Sequence, residues 1–475
     1  MTSWVGRNWP ALTALVVAAA AALLFTRALG TRTNYDEGVY LASLDAMRRG
    51  EALGSDIYTS QPPVFYWLLR GLAAPFGSSI SGIRAAFALF AVAGVAASVV
   101  LGWRLYGPPA GIAAGALVAI GPPYPTVAPT ISADVPAVVL GLVALALLTF
   151  ALVRPVPIVW AGAAGVVLAL AVLTKLLAIP FVVPFIALVL AARAARSVLP
   201  AALVGAALAT AVVVAANAAA VGDLWRQVVT DHTDARNLGS TSGNIDHIRS
   251  LLDLRTPFGW LVPLGFLAFV LSRHARRTWP LWLFVPATAG FLVLVRPLED
   301  HHLVLLSVAG ALAAGPSLAL AAGALPRSAQ IAATAALVLL VAAGFYQEQR
   351  RLERNDVAEP AELQWAAEAI ARATSRGALV VSDQPIVVFR AHRATAGPLV
   401  DISDTRVSGG TLTAADVNSE LRRSRPQAVL VDRMLRFLPA VVASLDRDYS
   451  RRVRCDGATL YLATRASIPP CPLHS

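Results

Sequence analysis

Residues 11–44 decide the class of protein: the apolar run ALTALVVAAAAALLFTRALG (11–30) is followed directly by TRTNYDEGVYLASL (31–44). The first stretch is long enough to cross a bilayer as a helix, which needs about 20 apolar residues. The second places two adjacent carboxylates, Asp36 and Glu37, within a few residues of the membrane boundary. Because a carboxylate is costly in lipid, a pair at this boundary points to chemistry there.

The first stretch also has features of a signal peptide, with Arg7 before the apolar run. Further apolar runs follow it along the chain. The favoured interpretation is therefore an uncleaved first transmembrane helix, and cleavage is the alternative.

The whole chain has the composition of a polytopic membrane protein. Of its 475 residues 57% are hydrophobic and 14% charged, and the mean hydropathy is +0.65. A soluble globular chain carries about 25% charged residues. The net charge is +11, from one Lys and 38 Arg against 28 acidic residues, but no basic block or RNA-binding motif occurs. Nucleic acid is therefore not an expected partner.

Apolar windows of about 17–22 residues recur along the first 346 positions. We count eleven, at residues 11–29, 82–103, 109–127, 134–153, 156–173, 176–192, 198–220, 258–272, 279–295, 303–323 and 328–346. The sequence thus predicts an α-helical polytopic membrane protein with about eleven transmembrane helices.

Charge predicts the orientation of these helices. If the N-terminus is cytoplasmic, the short inner connections carry arginine, as the positive-inside tendency requires; these are Arg104, Arg154, Arg193, Arg273 and Arg327. The fourteen acidic residues before residue 350 then all fall at the outer face. The sequence predicts an integral protein of the plasma (inner) membrane, with its active site and its C-terminal region on the extracytoplasmic side.

From about residue 350 the chain becomes polar. GALVVSD (377–383), PQAVLVD (426–432) and ATLYLAT (458–464) are predicted strands that alternate with helical segments, which favours an α/β domain. The predicted domains are residues 1–349, transmembrane and catalytic with external loops, and residues 350–475, a soluble α/β domain. Asp383, Asp401, Asp404 and Arg406 lie near predicted strand ends, but we expect a structural or acceptor-recognition role there rather than a second active site.

The two cysteines, Cys455 and Cys471, lie in this C-terminal region. They form a disulfide if the region is exported, or they are two separate thiols; the sequence leaves both open.

Several motifs in order carry a resemblance. YDEGVY (35–40), QPPVFYWLL (61–69), Asp134 at the start of a later helix and LAVLTKLLAIP (170–180) together resemble the glycosyltransferase-C superfamily. Within that superfamily the motifs resemble those of bacterial dolichyl-phosphate-mannose-protein mannosyltransferase-like and aminoarabinose lipid A transferase-like enzymes. Two positions depart from the family pattern: Gln61 replaces a Lys, and Leu176 replaces a Gly.

The resemblance implies transfer of a sugar from a polyprenyl-phosphate donor to an extracytoplasmic glycan, lipid or protein acceptor. Mannose and arabinose are the donor sugars that analogy favours. The acceptor hydroxyl needs a general base, and the leaving phosphate needs cations. Membrane lipid is the other expected partner.

The acidic candidates for catalysis are Asp36 as general base, Glu37 as a supporting group and Asp134 as an orienting group. A divalent cation, Mg²⁺ or Mn²⁺, is a further option, with Asp36 and Asp134 as candidate ligands. The alternative is structural, because Asp and Glu are favoured at helix starts.

The remaining candidates would contact the donor. The predicted phosphate-binding residues are Lys175, Arg296 and His301, and the predicted substrate-lining residues are Tyr58, Gln61, Tyr66, Trp67 and His302. A carboxylate near the histidines would also allow a metal site. As alternatives, Lys175 snorkels at a helix end and the aromatic residues belong to an interfacial belt.

The first predicted external loop runs from about residue 30 to residue 82. The third, near residues 221–257, carries Arg226, Asp231, His232 and Asp234 and is a candidate lid. Two rival functions stay open. A transporter or lipid-carrier flippase predicts charged residues inside spans and inverted repeats, neither of which is evident. A glycan ligase or polymerase of the same fold, with a pyrophosphate-linked donor, is the second rival.

Overall fold

The computed structural model describes residues 4–152, 157–193, 195–234, 238–354 and 358–472. Arg154, which supports the predicted orientation, lies outside the described residues, as do residues 235–237 of the third external loop.

Helices make up most of the described chain. In order they are α1 (Trp4–Thr26), α2 (Tyr35–Arg48), α3 (Pro63–Ala73), α4 (Ile80–Tyr106), α5 (Pro108–Ile120), α6 (Tyr124–Val127), α7 (Asp134–Ala151), α8 (Pro157–Thr174), α9 (Val182–Ala191), α10 (Ala195–Ala216), α11 (Val221–Trp225), α12 (Asp231–Asp234), α13 (Thr241–Ser250), α14 (Pro257–Leu271), α15 (Trp279–Trp282), α16 (Phe284–Leu294), α17 (Val304–Gly323), α18 (Arg327–Arg354), α19 (Ala361–Ala373), α20 (Pro385–Arg390), α21 (Asp404–Ser408), α22 (Ala414–Ser424) and α23 (Pro439–Asp448). The strands are β1 (Leu379–Ser382), β2 (Ala394–Thr395), β3 (Ala428–Val431), β4 (Arg451–Cys455) and β5 (Ala458–Leu462).

Every apolar window of the sequence overlaps one or two of these helices. Within the described residues, six helices are long and apolar enough to cross a membrane. A seventh span is added if α14 and the segment Ala275–Leu294, bent by 116° at their junction, are counted as one. Three shorter apolar helices, Pro10–Thr26, Pro108–Ile120 and Leu176–Ala191, cover the remaining windows. Length and composition thus support six or seven spans, fewer than the eleven predicted.

The chain divides into two compact units. Unit 1 comprises Met1–Gly30, Gly71–Ala215 and Thr241–Asp356. Its core is helix against helix, with small residues at the closest approaches. A Cβ added to Gly102 in α4 would lie 2.8 Å from the Cα of Gly111 in α5. Small residues of this kind allow helices in lipid to pack by close backbone contact.

Unit 2 comprises Thr31–Arg70, Ala216–Ser240 and Val357–Ser475. It therefore combines most of the first predicted external loop, part of the third predicted external loop and the C-terminal region. Its sheet has the order β2-β1-β3-β5-β4, in which β1 is parallel to β2 and β3, and β5 is antiparallel to β3 and β4. The three strand segments predicted from the sequence are β1, β3 and β5.

A disulfide joins Cys455, the last residue of β4, to Cys471 near the end of the described chain. The indole of Trp365 also donates a hydrogen bond to the carbonyl of Pro469, at 2.9 Å. These two contacts fix the C-terminal tail to the sheet and to α19.

Candidate active site

Lys175 lies at a break between two helical segments of unit 1. Helix α8 ends at Thr174, Lys175 is extended (φ −156°, ψ 131°), and a tight 3₁₀ helix follows over Leu176–Phe181. Pro180 lacks an amide hydrogen and so cannot take a normal position inside an α-helix. The break directs the only lysine of the chain inward, where it is 9% exposed.

Asp134 meets this lysine across unit 1. It is the first residue of α7, where a carboxylate interacts favourably with the helix dipole, and it is 2% exposed. The Lys175 ammonium donates to its Oδ1 at 2.8 Å. Because both groups are withdrawn from water, each depends on the other for charge compensation.

Two histidines complete the cluster. A 3₁₀ helix over Asp300–Leu303 precedes α17 and carries His301 and His302, whose ring centroids are 4.4 Å apart. Nε2 of His301 lies 3.9 Å from Oδ2 of Asp134. The two oxygens of this carboxylate thus face a lysine on one side and a histidine on the other. We call Asp134, Lys175, His301 and His302 the Asp134 cluster.

Three members of the Asp134 cluster offer metal-ligand atoms within 4.8 Å of one another: Asp134, His301 and His302. Two imidazoles and one carboxylate suit a borderline ion such as Zn²⁺ better than Mg²⁺ or Mn²⁺, which prefer oxygen. Nδ1 of His302 accepts the amide hydrogen of Glu299 at 3.1 Å, so ligation through Nδ1 requires this bond to break. Lys175 already balances the Asp134 charge. The divalent cation stays a prediction.

Arg296 belongs to a neighbouring arrangement in unit 1. Its guanidinium donates to the hydroxyl of Thr241 at the start of α13. From the same helix, the Asn244 amide donates to main-chain carbonyls at the end of α16, the shortest bond being 2.7 Å to Val295. Within the described residues no direct bond joins Arg296 to the Asp134 cluster.

Asp36 and Glu37 lie in the first turn of α2, in unit 2. Asn34 caps this helix: its side chain accepts the Glu37 amide hydrogen at 2.8 Å, and the Glu37 carboxylate accepts the Asn34 amide hydrogen at 3.1 Å. This is a capping box. Glu37 is fully buried in this role, whereas Asp36 is partly exposed. The two neighbouring carboxylates therefore differ in their access to a substrate.

The predicted lining residues of unit 2 fall into two groups. Tyr58 and Tyr66 are buried, whereas Gln61 is partly exposed and Trp67 is exposed. The Tyr58 hydroxyl donates to Asp231 at 3.1 Å, which links the first external loop to the candidate lid. Their contact with a substrate stays a prediction.

Two arginines, one from the candidate lid and one from the C-terminal region, lie beside the hydrogen-bonded pair Tyr58 and Asp231. Arg226 lies 3.9 Å from Asp231, and the guanidinium of Arg406 lies 3.6 Å above the Tyr58 ring. Nδ1 of His232 lies 3.1 Å from the carbonyl of Gln227. Asp234 is exposed.

Sequence reasoning missed three residues that organise these loops. Asn244 holds the end of α16, Gln227 bonds Thr59 and Gly54, and Tyr35 bonds Asp401. Asn244 lies in a Gly/Ser/Asn-rich stretch, which is a weak signal for a capping side chain. The partners of Gln227 and Tyr35 are far away in sequence, so no local pattern identifies them.

Comparison with known proteins agrees with this architecture. The sequence profile of the dolichyl-phosphate-mannose-protein mannosyltransferase family matches residues 60–219, about a third of the chain. No curated protein sequence matches. The structure of ArnT from Cupriavidus metallidurans bound to undecaprenyl phosphate is similar over 98% of this chain and 100% of that chain, with a TM-score of 0.69 and 17% identity.

A second solved structure is similar over a comparable length. It is the oligosaccharyltransferase AglB from Archaeoglobus fulgidus in complex with an inhibitory peptide and a dolichol-phosphate. The likeness covers 98% of this chain and 75% of that chain, with a TM-score of 0.58 and 12% identity. At these identities the likeness concerns the fold. The chain has the glycosyltransferase-C fold of membrane glycosyltransferases, as the sequence motifs predict.

Proposed function

We propose that the protein transfers a sugar from a polyprenyl-phosphate carrier to an acceptor hydroxyl on a cell-envelope glycan, lipid or protein. The Asp134 cluster, in a glycosyltransferase-C fold, is the observation that supports this function best. It gathers a lysine and two histidines around one carboxylate beside helix ends of unit 1. Such a cluster offers cationic and hydrogen-bonding groups to a phosphate whose lipid tail stays in the bilayer.

The similar structures support the class of donor. ArnT was solved with undecaprenyl phosphate and AglB with dolichol-phosphate, both of which are polyprenyl-type lipid phosphates. By analogy we assign the same class of carrier to this chain. Mannose and arabinose are the sugars to test first.

The proposed reaction is a single displacement at the anomeric carbon. The acceptor oxygen forms a bond to this carbon while the bond from carbon to phosphate oxygen breaks, and polyprenyl phosphate leaves with the electron pair. Asp36 takes the proton of the acceptor hydroxyl. Lys175 and His301 stabilise the charge that develops on the leaving phosphate.

We further propose that all eleven apolar windows enter the bilayer and that Asp36 and the C-terminal region face the extracytoplasmic side. The disulfide between Cys455 and Cys471 supports this side, because disulfides persist in oxidising compartments. The positions of arginines in the short connections support the same orientation.

The function is tested with purified protein in liposomes that contain radiolabelled polyprenyl-phosphate mannose or arabinose and a cell-envelope acceptor fraction. We expect transfer of one sugar, with release of one polyprenyl phosphate per transfer. Lys175→Met should lower the rate at least 100-fold, and Lys175→Arg, which keeps the charge, should retain more activity.

The same experiment separates the rivals. A flippase would move labelled lipid between leaflets without forming a glycosylated product. A ligase or polymerase would require a pyrophosphate-linked donor and would leave the monophosphate donors unused. Either result would overturn the proposed function.

A further inference from the structure

The chain segment that enters α2 is fixed to the C-terminal region of unit 2. The Glu359 carboxylate accepts hydrogen bonds from the Thr33 amide, at 2.7 Å, and from the Thr33 hydroxyl. Arg390 donates to the same carboxylate at 3.0 Å and to the Thr33 hydroxyl at 3.3 Å. The start of the first external loop is thus tied to residues more than 300 positions further along the chain.

Tyr35, two residues after Thr33, makes a second connection to the C-terminal region. The Tyr35 hydroxyl donates to Oδ1 of Asp401 at 3.1 Å and accepts the Ile402 amide hydrogen at 2.8 Å. Oδ1 of Asp401 also accepts the Ser403 amide hydrogen, at 3.0 Å. Burial and the neighbouring carboxylate raise the pKa of Tyr35 well above its ordinary value, so its hydroxyl stays a donor at neutral pH.

Helix α2 also lies very close to the C-terminal region further along its length. A Cβ added to Gly38 would come within 2.7 Å of the main-chain nitrogen of Ile386 in α20. Only a glycine permits this approach without displacement of one helix. Contacts at Thr33, Tyr35 and Gly38 therefore occur on either side of Asp36 in sequence.

We propose that Tyr35 and Asp401 are positioning residues for sugar transfer: their hydrogen bond fixes the first turn of α2 and with it Asp36. The C-terminal region then takes part in the transfer step itself, in addition to any role in acceptor recognition. This proposal rests on the proposed function, in which Asp36 is the general base. A misplacement of a catalytic group by about 1 Å can lower a rate about 100-fold.

The test compares variants that break the bond with variants that keep it. Tyr35→Phe removes only the hydroxyl, and Asp401→Ala removes the acceptor. Asp401→Asn keeps an oxygen that can accept from both Tyr35 and Ser403. Tyr449→Phe is the matched control, because it removes a hydroxyl bond to the Pro426 carbonyl elsewhere in unit 2.

We expect Tyr35→Phe and Asp401→Ala each to lower kcat at least tenfold, with KM for the donor within twofold of wild type. The double variant should be no slower than Asp401→Ala alone, because both changes remove the same bond. Asp401→Asn should recover most of the activity, and Tyr449→Phe should stay within twofold of wild type.

Hydrogen exchange gives a readout that does not depend on activity. The amides in the first turn of α2 should exchange at least tenfold faster in Tyr35→Phe and Asp401→Ala than in Tyr449→Phe. Unchanged exchange would overturn the positioning role, even if the wild-type protein showed no transfer and the proposed function had failed. Faster exchange with unchanged kcat would overturn the link to the transfer step.

Discussion

The ammonium of Lys175 and the carboxylate of Asp134 form a buried ion pair, with 2.8 Å between Nζ and Oδ1. Asp134 begins α7, and Lys175 occupies the break after α8. The pair fixes both helix ends in unit 1 and holds a cation beside two histidines. The pair thus has a structural role, in fixing these helix ends, and a proposed catalytic role, in stabilising the leaving phosphate. Variants that change stability and activity differently can separate the two roles.

Neutralising one member of this pair should destabilise the protein. Lys175→Met leaves a buried carboxylate without its ammonium, and Asp134→Asn leaves a buried ammonium without its carboxylate. We expect each change to cost roughly 3–5 kcal/mol. The double variant Asp134→Asn/Lys175→Met should recover most of that loss, because neither charge remains. Thermal unfolding in detergent measures all three.

The transfer activities of these variants should rank differently from their stabilities. If Lys175 stabilises the leaving phosphate, the double variant stays inactive although its stability has recovered. A double variant that is both stable and active would assign the pair a structural role only.

Glu37 should tolerate the loss of its charge. Its carboxylate caps α2 by accepting the Asn34 amide hydrogen, and the amide oxygen of Glu37→Gln can do the same. We expect Glu37→Gln to keep transfer activity within about threefold of wild type. Glu37→Ala should lower stability by about 1 kcal/mol, as typical capping losses do. A loss of activity in Glu37→Gln as large as that of Asp36→Asn would make Glu37 a catalytic carboxylate.

Asp383 should make the stability of unit 2 dependent on pH. Its carboxylate accepts main-chain hydrogen bonds from Asp432, Arg433 and Leu435 after strand β3. Burial raises its pKa from 3.8 to about 6 despite these bonds, and the Asp432 charge adds to the increase. The folded state therefore binds the proton more tightly than the unfolded state.

This difference in proton affinity determines whether stability rises or falls with pH. The stabilisation by the Asp383 proton is complete below pH 3.8 and is lost as the pH rises through about 6. A shift of this size corresponds to roughly 3 kcal/mol. The melting temperature of wild type should therefore fall relative to that of Asp383→Asn between pH 4 and pH 7. A constant difference between the two proteins would contradict the raised pKa.

The disulfide should contribute measurably to the stability of the C-terminal region. Cys455 and Cys471 are 16 residues apart, and closing a loop of that size is worth about 3 kcal/mol. Cys455→Ser, Cys471→Ser and the double variant should therefore all lose the same amount in chemical unfolding. Thiol labelling of unreduced wild-type protein should give no signal from either cysteine. Labelling of both would contradict the bond and the support it gives to an exported location.

The sequence predicted the helices because their signal is local. About 20 consecutive apolar residues favour a membrane helix wherever they occur, and each of the eleven windows overlaps at least one helix of the described residues. Strands β1, β3 and β5 were found for a related reason, since short runs rich in Val, Leu and Tyr indicate buried strands. Strand β4, RRVRC (451–455), was missed because three of its five residues are arginines, as suits an exposed edge.

The contacts between distant segments were not predictable in the same way. The sequence indicates Asp134 and Lys175 individually as candidates, but nothing local indicates that residues 41 positions apart form an ion pair. Tyr35 and Asp401 are separated by 366 positions. The assembly of the first predicted external loop with the C-terminal region depends on such pairs, and a single amino-acid sequence contains no record of them.

The most direct test of the account is sugar transfer by wild type and Asp36→Asn in the same proteoliposomes with a labelled polyprenyl-phosphate sugar. The account predicts stoichiometric formation of glycosylated acceptor and polyprenyl phosphate by wild type. Asp36→Asn, which keeps the size of the side chain but cannot accept the proton, should lose at least 100-fold in rate while its melting temperature is unchanged. Full activity in Asp36→Asn would contradict the assignment of the base, and no transfer by wild type with any such donor would contradict the function.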